Sequence, residues 1–188
     1  MYYFPFKFEF IPTVQKFAYQ HISPNAETKT LIGNQIKEIA GEVNKELSFY
    51  NLPPLFAAHV FRRPAHCVQD IHKDVYFLKN GKEVFKKVAY NIPVYGCTDC
   101  YMEWVDGKYE EIFETLSLSE NRTIYRYVPK WEDGPHVIER VEFNQPYFFK
   151  VNNYHRAIAG PQERVVVSLR FTEDLDIEDY YKKVHQSK

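Results

Sequence analysis

Several things are missing from this sequence, and each absence narrows the reading. No run of about 18 apolar residues occurs, so no membrane-spanning helix is expected. Neither sign of charge prevails: 24 Lys and Arg stand against 25 Asp and Glu, with a pI near 6.7. That balance gives no electrostatic footprint for wrapping nucleic acid, and no acidic tail is present. Cysteine is scarce and odd in number, at three, which favours reduced thiols over a disulfide framework. The N-terminal stretch MYYFPFKFEFIPTV has no basic region leading into a continuous apolar run. No signal peptide is therefore expected, and the expected compartment is cytoplasmic.

What is present is aromatic and β-prone: 15 Tyr, 15 Phe and 2 Trp, with 45% apolar residues overall. Such a chain buries enough surface to fold, and 188 residues without a linker or internal repeat read as one domain. Three sections are expected within residues 1–188: an extension over 1–54, a β core over 55–171 and a charged stretch over 172–188. In the extension, residues 2–10 alternate like a strand. Ile32, Ile36, Ile39, Val43 and Leu47 then recur at helical spacing, with Thr28 or Thr30 able to cap the helix. From Leu55 onward short apolar segments follow one another: LFAAHVF, KKVAYNIPVYG, YMEWV, KYEEIFE, TIYRYV, HVIERVEF, PYFFKVNNYHRAI and RVVVSLRF. Asn80-Gly81, Asp106-Gly107 and Asp133-Gly134 punctuate them as turn or hairpin signals. Seven or eight strands after one helix predict a sandwich, jelly roll or small barrel. The last stretch, TEDLDIEDYYKKVHQSK, reads as a short helix or a tail.

Two features could carry chemistry. In HKDV, His72 and Asp74 are separated by one residue, so on an extended chain both project from one face. With His155, near the start of the penultimate strand, they would make a 2-His-1-carboxylate set, which holds a metal on one side and leaves other positions open. In RVVVSLRF, Arg164, Val166, Ser168 and Arg170 share one face, and Val165, Val167, Leu169 and Phe171 the other. If the second face packs on the core of the sandwich, an arginine points into the barrel, where it needs an anion.

H-x-D at 72–74, the distal His155 and Arg164 nine residues later resemble, in order, spacing and strand context, the double-stranded β-helix oxygenases dependent on Fe(II) and 2-oxoglutarate. The resemblance covers roughly residues 55–171 and implies a mainly β fold, a jelly-roll core with an N-terminal strand and amphipathic helix. It implies iron ligands His72, Asp74 and His155, which would also be the catalytic centre, and Arg164 as the anchor for the distal carboxylate of 2-oxoglutarate. Asn91 or Tyr90, in AYNIPV, would contact the same co-substrate; the two alternate faces, so one of them at most does so. Many members carry Arg-x-Ser on the last strand, whereas here Ser168 is four residues after Arg164 and two before Arg170. Arg170 is therefore a rival anchor. The intact H-x-D implies hydroxylation of a C–H bond, with release of succinate and CO2, rather than halogenation. The implied cofactors are Fe(II), 2-oxoglutarate as co-substrate and, optionally, ascorbate. The substrate would be a small molecule, an amino acid or a peptide, with no nucleic acid or membrane partner.

Other motifs read as structural. Cys97 and Cys100 form C-T-D-C without a second pair, so core thiols are expected rather than zinc. His59 and His66 are expected to be structural or to line the substrate pocket, and Tyr76, Tyr101, Trp104 and Trp131 would suit a wall for a ring or apolar chain. The FPFKFEF aromatics are expected to pack rather than stack on bases. Two other classes remain: a cupin-like metal protein that does not use 2-oxoglutarate, acting as an isomerase or sensor, and a metal-free β-sandwich that binds a partner.

Overall fold

The computed structural model describes residues 1–22, 28–77, 83–119 and 122–186. It opens with β1 (Tyr3–Pro5), α1 (Ile11–His21), β2 (Thr28–Ile32), a 3₁₀ turn at Gly33–Ile36 and α2 (Lys37–Phe49). The strands β3 (Leu55–Arg63), β4 (Val75–Phe77), β5 (Glu83–Phe85), β6 (Val88–Tyr95) and β7 (Tyr101–Asp106) follow. Then come β8 (Tyr109–Ser119), β9 (Arg122–Trp131), β10 (His136–Glu142), β11 (Tyr147–Lys150), β12 (His155–Ile158), β13 (Arg164–Phe171) and α3 (Ile177–Gln186).

One sheet runs β1-β11-β6-β13-β3-β2 and a smaller one β10-β7-β12. A segment around Val68–His72 joins the smaller sheet through bridges to Ile158 and His155 on β12. The eight core strands therefore pass back and forth between the sheets, with one consecutive pair in the small sheet: β3 large, 68–72 small, β6 large, β7 and β10 small, β11 large, β12 small, β13 large. This is a jelly roll, the double-stranded β-helix. Two paired ribbons are inserted into it, β4–β5 before β6 and β8–β9 between β7 and β10.

Alternation along β13 sorts the core into two layers. Val165, Val167, Leu169 and Phe171 join Tyr90, Ile92 and Phe148 on the outer side of the large sheet. There they meet Val14 and Phe17 of α1, Ile39, Val43 and Leu47 of α2, and Tyr180 of α3. The inner layer, between the sheets, contains Met102, Trp104, Phe143, Phe149 and Val166. The apolar face of β13 thus packs on the helices and not on the sandwich interior, and Arg164, Ser168 and Arg170 face inward.

Several expectations need correction. The strand expected over 2–10 is three residues long: beyond Pro5 the chain turns at Glu9 and Phe10, whose N–H groups donate to the Glu46 carboxylate, and α1 follows with Pro12 in its first turn. Thr30 does not cap α2; it lies in β2, its hydroxyl bonded to His59, and Ile32 is half exposed. Asp106-Gly107 and Asp133-Gly134 are not hairpin turns: β7 pairs with β10 and β12, while β8 pairs with β9. Those turns redirect the chain out of the sheet and back, with Asp106 Oδ1 accepting from the Gly107 N–H at 2.8 Å. PYFFKVNNYHRAI is two strands in different sheets, β11 and β12, parted at Val151–Tyr154. Of the two readings of the C-terminal stretch, a short helix or a tail, the helix is the one present: α3 buries Ile177, Tyr180 and Val184. Asn80-Gly81 lies outside the described residues.

One glycine is required by the fold near the site. Gly96 has φ +65°, and a Cβ there would fall 1.8 Å from the Glu163 carbonyl oxygen. Only glycine lets the end of β6 approach the start of β13, where Arg164 begins.

Candidate metal centre

His72 and His155 are directly opposite each other across an antiparallel bridge and exchange both backbone hydrogen bonds, each 3.0 Å. Their side chains must therefore leave the same face, and the ring centroids lie 4.7 Å apart. Asp74, two residues on, joins them; its N–H donates to the Val151 carbonyl at 3.0 Å, which fixes the backbone there. One ligand atom from each of His72, Asp74 and His155 lies within 4.8 Å of the others.

The protonation states suit a metal. Each histidine has Nδ1 within 2.7–2.8 Å of a backbone carbonyl two residues earlier, Asp70 for His72 and Asn153 for His155. A carbonyl can only accept, so each Nδ1 carries a proton, and in the neutral ring that leaves the Nε2 lone pair for an ion. Burial, with help from His72, lowers His155 to about 4, so it is neutral at pH 7, the state a ligand needs. Burial alone, the largest single influence, would raise the Asp74 carboxyl, but its charged and hydrogen-bonding neighbours together outweigh it. Together with His72 and His155, Arg170 holds that carboxyl well below the usual range.

The two carboxylate oxygens of Asp74 have different partners. Oδ1 lies 3.6 Å from His72 Nε2, while Oδ2 receives Arg170 Nη2 at 2.5 Å. Arg170 Nη1 also donates to Ser168 Oγ at 2.7 Å, and the Ser168 hydroxyl donates to Asn91 Oδ1. Asn91, Ser168 and His59 sit side by side across β6, β13 and β3, so a polar row backs the aspartate.

Arg164 is different. It is buried, 6% exposed, and its Nε has no hydrogen-bond partner among the described residues. It shares with His72, Asp74, His155, Arg170 and Asn91 the lining of one cavity of about 90 Å³. A buried donor without an acceptor costs roughly 1–3 kcal/mol, and more when charged, so the cavity is shaped for an anion.

The sequence candidates divide accordingly. His72, Asp74 and His155 come together, and Arg164, Asn91, Ser168 and Arg170 surround the same cavity. Tyr90 does not: it points to the outer layer, where its hydroxyl donates to the Phe6 carbonyl at 2.8 Å and burial raises its pKa. Trp104 is no pocket wall either, being fully buried between the sheets with its Nε1–H on the Lys150 carbonyl. Tyr101 packs under Arg140, and Trp131 packs against Tyr154 on the β8–β9 ribbon; Tyr76's side chain is outside the described set. His59 is buried beside Ser168, whereas His66 lies exposed at a turn with φ 58°. Cys97 and Cys100 are buried thiols, and burial pushes Cys97 up to about 12, far from a reactive thiolate. Phe61 and Arg63, which also line the cavity, were not singled out in the sequence. Their period-two alternation with His59 along β3 was the available signal.

Fold and site together define a jelly roll with a His/Asp/His set and an arginine-lined cavity between its sheets. No protein-family model matches the sequence, and no curated protein matches it significantly. Among solved structures, the chain is similar to the viral collagen prolyl hydroxylase of Paramecium bursaria Chlorella virus-1 in its 2OG complex. Identity is 11% and the TM-score 0.41, over 90% of this chain and 94% of that one. Similarity at that level does not bear on activity, which has to be read from the site itself.

Proposed function

We propose that this protein is a non-haem Fe(II)- and 2-oxoglutarate-dependent oxygenase that hydroxylates a C–H bond and releases succinate and CO2. The observation that carries the reading is the contrast between two inward arginines beside one His/Asp/His set. Arg170 is spent on Asp74, and Arg164 keeps a buried donor without a partner. That contrast also favours Arg164 over Arg170 as the anchor for the co-substrate.

The donor set fits the metal. Two imidazoles and one carboxylate leave an Fe(II) ion with open positions, as oxygen activation demands. His72, Asp74 and His155 would hold it, and Arg164 would bind the far carboxylate of 2-oxoglutarate. Bound iron supplies the coupling of dioxygen reduction to oxidative decarboxylation of that co-substrate. Arg170, with Ser168 and Asn91 behind it, keeps Asp74 ionised and turned toward His72. Met102, Phe143, Ala157 and Val166 give the cavity apolar walls that exclude water around the reacting carbon. The substrate belongs to the small molecules, amino acids or peptides able to reach that cavity. A reducing, intracellular setting accords with three free thiols.

The test is an anaerobic titration with Fe(II) and then 2-oxoglutarate, following the visible metal-to-ligand charge-transfer band. The expected result is a band that His72→Ala abolishes and Arg164→Ala weakens. Iron binding without a band would instead support a cupin-like metal protein, and absence of metal binding a partner-binding sandwich.

A further inference from the structure

The residues that alternate with the metal-ligand candidates form a second cluster, on the opposite face of the same two segments. Lys73 lies between His72 and Asp74, and Tyr154 immediately precedes His155. Pleating turns both away from the cavity and toward the β8–β9 ribbon. There Glu111, from β8, receives the Lys73 ammonium at 2.8 Å and the Tyr154 hydroxyl at 2.7 Å, both on Oε1. The ammonium also lies 4.2 Å from the Tyr154 ring centroid and 5.7 Å from that of Tyr109. Tyr109 and Trp131, at the base of the ribbon, close edge-on around Tyr154 at 4.8 and 5.9 Å. Lys73 and Tyr154 hold the Glu111 carboxyl below its usual range, so it is ionised and can accept from both.

One carboxylate therefore joins three parts of the chain: the segment with His72 and Asp74, the segment with His155, and the ribbon between β7 and β10. Apart from Lys73 and Tyr154, the two segments are held to each other by the backbone bridge at His72 and His155 and by neighbouring loop bonds. We infer that Glu111 is a positioning residue of the metal centre, tying together from behind the two segments that hold the metal and making metal affinity depend on how the ribbon is seated. It touches neither metal nor substrate. Its Oε1 is the acceptor of the Lys73 ion pair, so replacing the carboxylate removes that pair and loosens the seating of the ribbon against the two bridged segments. Coupling of this kind is reciprocal: if the seated ribbon favours metal, bound metal favours the seated ribbon by the same factor. This inference rests on the metal reading proposed above.

The test is titration of the full chain with Co(II), which takes the same N and O ligands and reports through its visible absorption. Wild type, Glu111→Gln, Tyr154→Phe and His72→Ala are compared, with thermal unfolding of each protein without metal. Outer partners of metal ligands typically set 10- to 100-fold in affinity, so Glu111→Gln should weaken Co(II) binding by roughly 10-fold. Tyr154→Phe, which removes only a hydroxyl, should weaken it in the same direction. Metal-free stability should stay close to wild type, because Glu111 is partly exposed. In wild type alone, metal should slow amide exchange at residues 109–112 and 128–131. If His72→Ala abolishes binding while Glu111→Gln and Tyr154→Phe bind as tightly as wild type, the positioning role is wrong and the metal centre stands. If wild type binds no Co(II), the oxygenase reading and this inference fall together. Should Glu111→Gln lose metal-free stability, Tyr154→Phe decides: weakened binding supports the tie, and wild-type affinity overturns it.

Discussion

Arg164 and Arg170 leave the same face of β13, but the protein answers only the second with a carboxylate of its own, Asp74. Their substitutions should therefore separate cleanly. Arg164→Ala removes a buried donor that has no acceptor, so urea unfolding should show little loss of stability. Its effect should appear in the charge-transfer titration, as a 2-oxoglutarate affinity weaker by roughly 10- to 100-fold, the worth of a hydrogen bond to a charged group. Arg170→Met does the reverse. It strands the Asp74 carboxylate in the interior, which costs roughly 3–5 kcal/mol when a buried pair is broken. The lower end is expected here, because Asp74 retains 17% side-chain exposure. A large stability loss in Arg164→Ala, or none in Arg170→Met, would exchange the roles assigned to the two residues.

Among the elements, α3 makes the sharpest claim. A charged C-terminal stretch would be dispensable as a tail, but Tyr180 sits between Phe148 and Phe171, with ring centroids 5.1 and 5.4 Å away. That packing closes the outer layer behind β11 and β13. Tyr180→Ala should cost about 3–5 kcal/mol in denaturant unfolding, as truncation of a buried aromatic does. A cost under about 1 kcal/mol would mean that the helix rests on the sheet without supporting it. The sequence left a short helix and a tail both open, and Ile177, Tyr180 and Val184, recurring at three- and four-residue spacing, are the stripe that decides for the helix.

For the whole molecule, pH reports on the buried histidines. Burial, aided by Arg170, lowers His59 from 6.5 to about 3, and burial lowers His155 to about 4. Below pH 6.5 the unfolded chain takes up protons at both sites and the folded chain does not. The stability they contribute is thus complete above pH 6.5 and drains away as pH falls toward 3. Each histidine should account for about 2 kcal/mol between pH 6.5 and 5, at 1.36 kcal/mol per pH unit. Urea midpoints across that range should show the fall, and His59→Gln should remove about half of it. A profile flat from pH 7 to 5 would mean that these imidazoles are not buried neutral. A metal bound at the proposed centre would act on the same equilibrium: at 100 times its Kd it should raise stability by about 2.7 kcal/mol, and a chelator should reverse the gain.

The sequence by itself determined the periodicities. Alternation along RVVVSLRF separated the inward polar face from the outward apolar one, and the three- and four-residue spacing from Ile36 to Leu47 marked α2. H-x-D, with His155 and Arg164 downstream, made a candidate site readable because side-chain direction on a strand depends only on parity. Pairing was not readable. Whether β7 joins β8 or β10, and whether PYFFKVNNYHRAI is one strand or two, depends on contacts between residues far apart in the chain. Turn residues mark a change of direction without naming the partner strand. The choice between Arg164 and Arg170 was closed to the sequence for the same reason. Both have the right parity, and only the tertiary structure brings Asp74, 96 residues away, to one and leaves the other unmatched.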